Sequence, residues 1–118
     1  MEEIIVNGIK YMPADSEEMA KRVDGMPFCI IRTYSAGVHA GYLKSREGKE
    51  VILINSIRIW KWAGAFTLSE LAVNGTTNPH NCKFAIEVPE IILTEAIEII
   101  PCTEKAKKSI LGVTPYEC

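Results

Sequence analysis

The chain has 118 residues, of which 47% are hydrophobic and 24% charged, a size and composition typical of one soluble globular domain. Its formal net charge of −2 excludes the global cationic field that drives non-specific binding to duplex DNA, so we expect no duplex DNA partner. The start of the chain lacks the basic and apolar regions of a signal peptide, and no apolar run is long enough to cross a bilayer, which favours a cytoplasmic location without a membrane partner.

Two elements are predicted at the N-terminal end. Residues 3–12 are typical of a β-hairpin, because Asn7 and Gly8 tolerate the positive φ angles of a tight type I′ turn. The segment SEEMAKRV, residues 16–23, predicts a short helix with an acidic start, a basic end and Gly25 behind it. Its apolar stripe is thin, so we expect it to pack as a lid or against a second copy of the protein.

The middle of the chain predicts short β-strands. Apolar and aromatic runs separated by turn residues lie at residues 28–34, 38–45, 51–54, 58–62, 84–88 and 90–100. Gly41 interrupts the second run and predicts a β-bulge or a close approach of another backbone. Asn55 and Ser56 separate the third run from the fourth.

Two helices are predicted by their capping residues. Thr67 and Glu70 have the spacing of a capping box, in which the hydroxyl accepts from the Glu70 amide, and Gly75 ends the helix. Thr103 can cap a second helix, which Gly112 ends.

These elements predict an α+β fold that is mainly β. Short strands with little helix between them favour a small curled antiparallel sheet or barrel, with two or three short helices and the N-terminal β-hairpin. Residues 1–27 would form a hairpin-helix arm, and residues 28–118 a small β-rich domain.

Five segments between Ile30 and Ile110 carry a family resemblance: IIRTYSAGVHAGYL, RIWKWAGA, TLSELAVNGTTNP, NCKF and LTEAIEIIPCTEKAKKSI. Together they resemble a family of short phage and prophage proteins with a domain of unassigned function. The hairpin segment IIVNGIKYMP also resembles a short N-terminal module of small phage proteins. The resemblance implies a phage-encoded accessory protein in the cytoplasm of an infected bacterial host, and it brings no catalytic residues with it.

The sequence contains no recognisable catalytic or metal-binding motif. Neither His39 nor His80 lies in a phosphodiesterase, metalloprotease or hydrolase pattern, so we expect a protein that is not an enzyme. His80 and Cys82, with another cysteine brought near by folding, could bind zinc, but we interpret them as a polar loop beside a buried cysteine. We therefore expect no cofactor and no metal, and reduced cysteines.

Basic and aromatic residues interleave along the predicted strands. Because strand residues alternate in direction, Arg58, Trp60 and Trp62 are predicted to share one face. Such a face suits stacking on a base and pairing with a phosphate, and it equally suits the rim of a core. The candidate ligand-binding residues are Arg32, Tyr34, His39, Arg58, Trp60 and Trp62.

The favoured functional hypothesis is a phage-encoded non-catalytic binding protein. It would act as a counter-defence sponge that sequesters a small nucleotide-derived immune signal. Because a chain this small cannot easily enclose a dinucleotide alone, we expect a homo-oligomer. The alternatives are a protein-binding inhibitor of a host defence complex, of the anti-CRISPR kind, and a single-strand nucleic-acid binder.

Overall fold

The computed structural model describes residues 18–116, in which six strands and two helices form the fold. In chain order the elements are β1 (Phe28–Thr33), β2 (Val38–Glu47), β3 (Glu50–Lys61), α1 (Leu68–Asn74), β4 (Lys83–Phe84), β5 (Val88–Leu93), β6 (Ala96–Pro101) and α2 (Glu104–Leu111). A single 3₁₀ turn, Pro79–Asn81, precedes β4. The hairpin predicted at residues 3–12 lies outside the described residues.

The strands form one antiparallel sheet in the order β4-β3-β2-β1-β6, and β5 also pairs with β3. β5 and β6 therefore lie towards opposite edges of the sheet, although only Thr94 and Glu95 connect them. Such a short connection requires the sheet to curl. The prediction of a mainly β, curled antiparallel sheet is confirmed, and the sheet does not close into the barrel given as its alternative.

The two faces of the curled sheet carry separate cores. On the helix face, α1 and α2 cover a cluster that includes Phe28, Ile30, Ile59, Phe84 and Ile110. On the other face, which we call the concave face, a smaller cluster joins β1, β3 and β5, and Ala96 and Ile99 of β6 pack against it. Its buried members are Cys29, Ile31, Val51, Leu53 and Leu93. No helix of the described residues is long and apolar enough to cross a membrane.

A bulge at Gly41 controls which β3 side chains face which core. Ala40 pairs with Ile57 and Tyr42 with Ile54, so Gly41 alone stands opposite two residues of β3. A Cβ atom on Gly41 would lie only 3.0 Å from the Ser56 Cα atom. The predicted bulge and close backbone approach are both confirmed.

The same bulge joins what we predicted as two strands into one. Asn55 adopts a positive φ of 52°, a conformation that Asn tolerates better than most residues. Residues 51–54 and 58–61 thereby continue as the single strand β3. The extra residue reverses the alternation, so that Ile57 and Ile59 face the helices and Ser56, Arg58 and Trp60 face the concave side.

The helix predicted at residues 16–23 is wrong over its described part, residues 18–23, which are not helical. The Ala20 amide donates to the carbonyl of Cys102 at 3.0 Å, and the Glu104 amide donates to the carbonyl of Glu18 at 2.8 Å. These backbone groups are bonded to the junction of β6 and α2 instead of to a helical turn. The thin apolar stripe offers too little burial to favour the helix over this pairing. The proposed boundary between an arm and a domain at residue 28 stays a prediction.

The capping box of α1 is confirmed with one difference. The Thr67 hydroxyl accepts from the Glu70 amide at 3.1 Å, but the Glu70 carboxylate accepts from the Phe66 amide at 2.8 Å, whereas in a regular capping box it would accept from the amide of the N-cap residue, Thr67. Thr103 caps α2 by accepting from the Ala106 amide at 3.1 Å, as predicted.

We expect Thr67→Ala to lower the free energy of unfolding by about 1 kcal/mol, because the Glu70 amide loses its acceptor at the helix start. Urea denaturation of both proteins measures the difference. Thr77→Ala is a suitable control, because Thr77 is also exposed and its hydroxyl bonds a carbonyl outside any helix. Equal losses in the two variants would contradict a specific capping role.

Candidate functional site

Arg58 and Trp60 form a wall on the concave face of β3. The Arg58 guanidinium lies over the Trp60 indole, 5.4 Å from the ring centroid, a distance at which a cation is attracted to an aromatic face. Trp60 is nevertheless 66% exposed, an unusual degree for so large an apolar side chain. We call this pair the Arg58–Trp60 wall.

The wall separates two neighbouring depressions. The first, which we call the cleft, has a volume of about 270 Å³, and Ile86, Val88 and Ile91 line it together with the wall. The second, which we call the loop-side depression, has a volume of about 470 Å³ and lies between the wall and the β1–β2 loop. Arg58 and Trp60 are lining residues of both depressions.

His39 lies at the buried end of the cleft. It pairs with Arg58 across β2 and β3 and is only 1% exposed. Its Nε2 lies 2.9 Å from the carbonyl oxygen of Ala36, and a carbonyl only accepts, so Nε2 carries the proton. Burial lowers the pKa of His39, and the positive charge of Arg58 lowers it further, although the bond to Ala36 acts in the opposite direction.

Ser56 is the second polar group of the cleft. It is 1% exposed, and its hydroxyl has no hydrogen-bond partner among the described residues. Buried hydroxyl groups are normally bonded, because an unmade bond costs free energy. Ser56 therefore lines the cleft with an unused hydrogen-bonding group.

The lowered pKa of His39 makes stability depend on pH. Its stabilising contribution is complete above the unfolded pKa of about 6.5 and is lost as the pH falls below that value, because the unfolded chain then takes up a proton that the folded chain resists. We expect the free energy of unfolding to fall below pH 6.5 by up to about 1.4 kcal/mol per pH unit. Denaturation of His39→Gln over the same pH range should show a flatter profile than that of the wild-type chain, and an unchanged slope would contradict this assignment.

The structure brings three of the six candidate residues together: His39, Arg58 and Trp60 all line the cleft. Trp62 lines the loop-side depression but also packs against the helix-face core, so its predicted place on the same face is only partly correct. β3 ends at Lys61 after a register shift against β4, and the strand alternation does not continue to Trp62.

Arg32 and Tyr34 lie apart from the cleft. Ile31, the residue before Arg32 in β1, lies on the concave face. Because successive strand residues point to opposite faces, Arg32 lies on the helix face. Its Nε donates to the Glu98 carboxylate at 3.0 Å. Tyr34 is 77% exposed in the β1–β2 loop and lines neither depression.

Ser56 and the apolar side of the cleft were missed by sequence reasoning. We read Ser56 as part of a turn between strands, although its spacing from Arg58 and Trp60 is the alternation of one strand face. Ile86 and Val88 approach the wall because β5 pairs with β3. That long-range pairing leaves no local signal.

The three cysteines of the described residues, Cys29, Cys82 and Cys102, do not line the cleft. Burial raises the pKa of the Cys29 thiol to about 11 and that of Cys102 to about 12, and both thiols are free, as is that of Cys82. The Cys82 sulfur accepts from the Ala63 amide at 3.4 Å. Within residues 18–116, no three His, Cys, Asp or Glu residues are grouped as metal ligands.

Comparison with known proteins gives a family and no activity. A family model described as Domain of unknown function (DUF6948) matches residues 26–110, most of the chain. The expectation of a family with a domain of unassigned function is confirmed for these residues. No curated protein and no solved structure shows significant similarity to the chain.

Proposed function

We propose that this chain, which belongs to the DUF6948 family, is a non-catalytic binding protein that holds a small nucleotide-derived ligand against the Arg58–Trp60 wall. The observation that carries the proposal is the geometry of this wall. A guanidinium lies 5.4 Å from the centroid of an indole in a residue that is 66% exposed, and both residues line two depressions.

The chemistry of the wall fits a phosphate joined to a planar base. A guanidinium forms paired, charge-assisted hydrogen bonds with phosphate oxygens. An exposed indole stacks on any base, and such stacking contributes about 1–3 kcal/mol. Ile86, Val88 and Ile91 supply the apolar surface that a small-molecule site uses to bury its ligand.

Binding without catalysis is favoured by the polar groups of the cleft. A hydrolase would need His39 to accept a proton from a nucleophile such as Ser56. The Nε2 proton of His39 is bonded to Ala36, which leaves Nδ1 as the only acceptor of the ring, and no hydrogen bond joins the Ser56 hydroxyl to it among the described residues. Nothing in this geometry activates the hydroxyl.

We extend the proposal to a phage-encoded counter-defence sponge in the cytoplasm of an infected bacterium, which removes a nucleotide-derived immune signal by binding it. Such a protein needs only to bind the signal tightly and does not need to convert it chemically. Sites that bury a drug-sized ligand measure roughly 300–1,000 Å³. The cleft, at about 270 Å³, is smaller than this, and the loop-side depression, at about 470 Å³, lies within the range but is open to solvent. A homo-oligomer in which a second copy covers the wall would complete the enclosure.

A thermal-shift experiment on the full chain tests the proposal. The probes are cyclic dinucleotides, cyclic trinucleotides, ADP-ribose and adenosine 5′-monophosphate, with inorganic phosphate and ribose as controls. A ligand at 100 times its Kd should stabilise the native state by about 2.7 kcal/mol, and light scattering shows whether the complex is an oligomer. A melting temperature that none of the nucleotide probes raises would contradict the proposal.

A protein-binding inhibitor is the second candidate, and the exposure of the cleft rim favours it. Ile86 is 72% exposed beside Trp60, and an exposed Trp next to an Arg is typical of an interface hot spot. A single-strand nucleic-acid binder would use the same wall. Capture of a host protein from lysate that is lost when Trp60 is substituted would favour the protein-binding inhibitor. Binding of an oligothymidine in a fluorescence titration would favour the single-strand nucleic-acid binder.

A further inference from the structure

The polar end of the cleft carries a feature that the wall does not explain. The Ser56 hydroxyl is buried and lacks a hydrogen-bond partner among the described residues. The backbone of Gly41 lies close to Ser56, yet no backbone carbonyl of the described residues accepts from the hydroxyl. A fold gains nothing from such a group, because its desolvation is not offset by a bond.

His39 restricts what the same end of the cleft can bind. Its Nε2–H donates to Ala36, so the only ring nitrogen left for a ligand is Nδ1, and in the neutral imidazole Nδ1 only accepts. His39 lies opposite Arg58, and Ser56 lies two residues before Arg58 on the same face. The two polar side chains are therefore diagonal neighbours in the sheet, with Cα atoms about 7–8 Å apart.

We infer that Ser56 and His39 receive the hydrogen-bonding edge of an amino-substituted base, such as adenine, whose ring stacks on Trp60. The amino group donates to Nδ1 of His39, and the adjacent ring nitrogen accepts from the Ser56 hydroxyl. This inference rests on the proposed function and adds to it the class of base. The wall supplies the stacking and phosphate contacts, while the buried polar end selects among bases.

Two probes that differ by one group test this inference. Adenosine 5′-monophosphate carries the amino group, and purine riboside 5′-monophosphate has a hydrogen atom in its place. Titration of the wild-type chain, followed by the tryptophan indole signals in NMR spectra, should show about 3- to 10-fold weaker binding of the second probe, because one hydrogen bond is lost.

Ser56→Ala provides the matching protein variant. We expect about 3- to 10-fold weaker binding of adenosine 5′-monophosphate and a melting temperature that does not fall, because no hydrogen bond of the free protein is removed. Ser45→Ala, an exposed position on β2, should change neither quantity. A purely structural Ser56 would give the opposite pattern, a lower melting temperature with unchanged affinity per folded molecule, and would overturn the inference.

The remaining outcomes separate this inference from the proposed function. If Ser56→Ala binds adenosine 5′-monophosphate as the wild type does, or if both probes bind equally, the base-reading role is wrong and the nucleotide-binding wall stands. If only a nucleotide whose base carries no amino group binds, the base-reading role is likewise wrong and the nucleotide-binding wall stands. If no nucleotide probe binds, both the base-reading role and the proposed nucleotide-binding function are overturned.

Discussion

Gly75→Ala is expected to lower the free energy of unfolding by about 4 kcal/mol, because it combines backbone strain with an overlap between the two helices. Gly75 ends α1 with φ 75° and ψ −163°, a combination that is essentially restricted to glycine. A Cβ atom there would overlap with the Cβ of Ser109 in α2. The loss is a large share of the 5–15 kcal/mol that stabilises a typical domain.

Gly25→Ala separates the two causes. Gly25 has a similar φ of 81°, but a Cβ atom there would meet nothing within 4 Å, so only the cost of positive φ remains, about 1–2 kcal/mol. Urea denaturation of both variants gives the difference due to the α1–α2 contact together with the ψ of −163° at Gly75. Equal losses would mean that Ser109 can move away from Gly75 at little cost, and that the contact does not fix the helices.

Elements governed by local rules could be predicted from the sequence. Thr67 and Thr103 cap their helices because the hydroxyl and the amide that it accepts from lie within one helical turn. Gly41 indicated the bulge because a residue without Cβ permits the close approach of Ser56. The same local reasoning failed for residues 18–23, where hydrogen bonds to the distant β6–α2 junction determine the conformation.

The candidate site was less predictable, because it depends on strand register. Alternation correctly places Arg58 and Trp60 on one face, but the position of His39 opposite Arg58 follows from the pairing of β2 with β3. Arg32 shares only its residue type with Arg58. Because it alternates with Ile31 along β1, it lies on the opposite face of the sheet. The bulge at Asn55 decides whether Ser56 is a turn residue or part of the cleft.

Arg58→Ala is expected to weaken nucleotide binding by about 10- to 150-fold, because a charge-assisted hydrogen bond contributes about 1.5–3 kcal/mol. The melting temperature should change little. In the free protein the described contact of the guanidinium is with Trp60, and at an exposed indole such a contact contributes about 0.5–1 kcal/mol. Isothermal titration with the best probe of the panel, beside thermal denaturation of the same samples, measures both.

The chain offers a matched control for this substitution. Arg32→Ala removes the same side chain from the opposite face, where it forms an exposed ion pair with Glu98 at 3.0 Å, and such pairs contribute about 0–1 kcal/mol. It should leave both affinity and melting temperature nearly unchanged. Arg58→Lys keeps the charge but loses the paired donor geometry, so its affinity should lie between those of the wild type and Arg58→Ala.

Trp60 distinguishes the binding wall from a structural rim. Because the indole is 66% exposed, Trp60→Leu should remove base stacking, worth about 1–3 kcal/mol of binding free energy, with little loss of stability. If the wall only supports the fold, Arg58→Ala and Trp60→Leu will both lower the melting temperature, and binding will decline only as far as the folded fraction does. Affinity per folded molecule therefore decides between the two roles, and an unchanged affinity in both variants would remove the wall from the site.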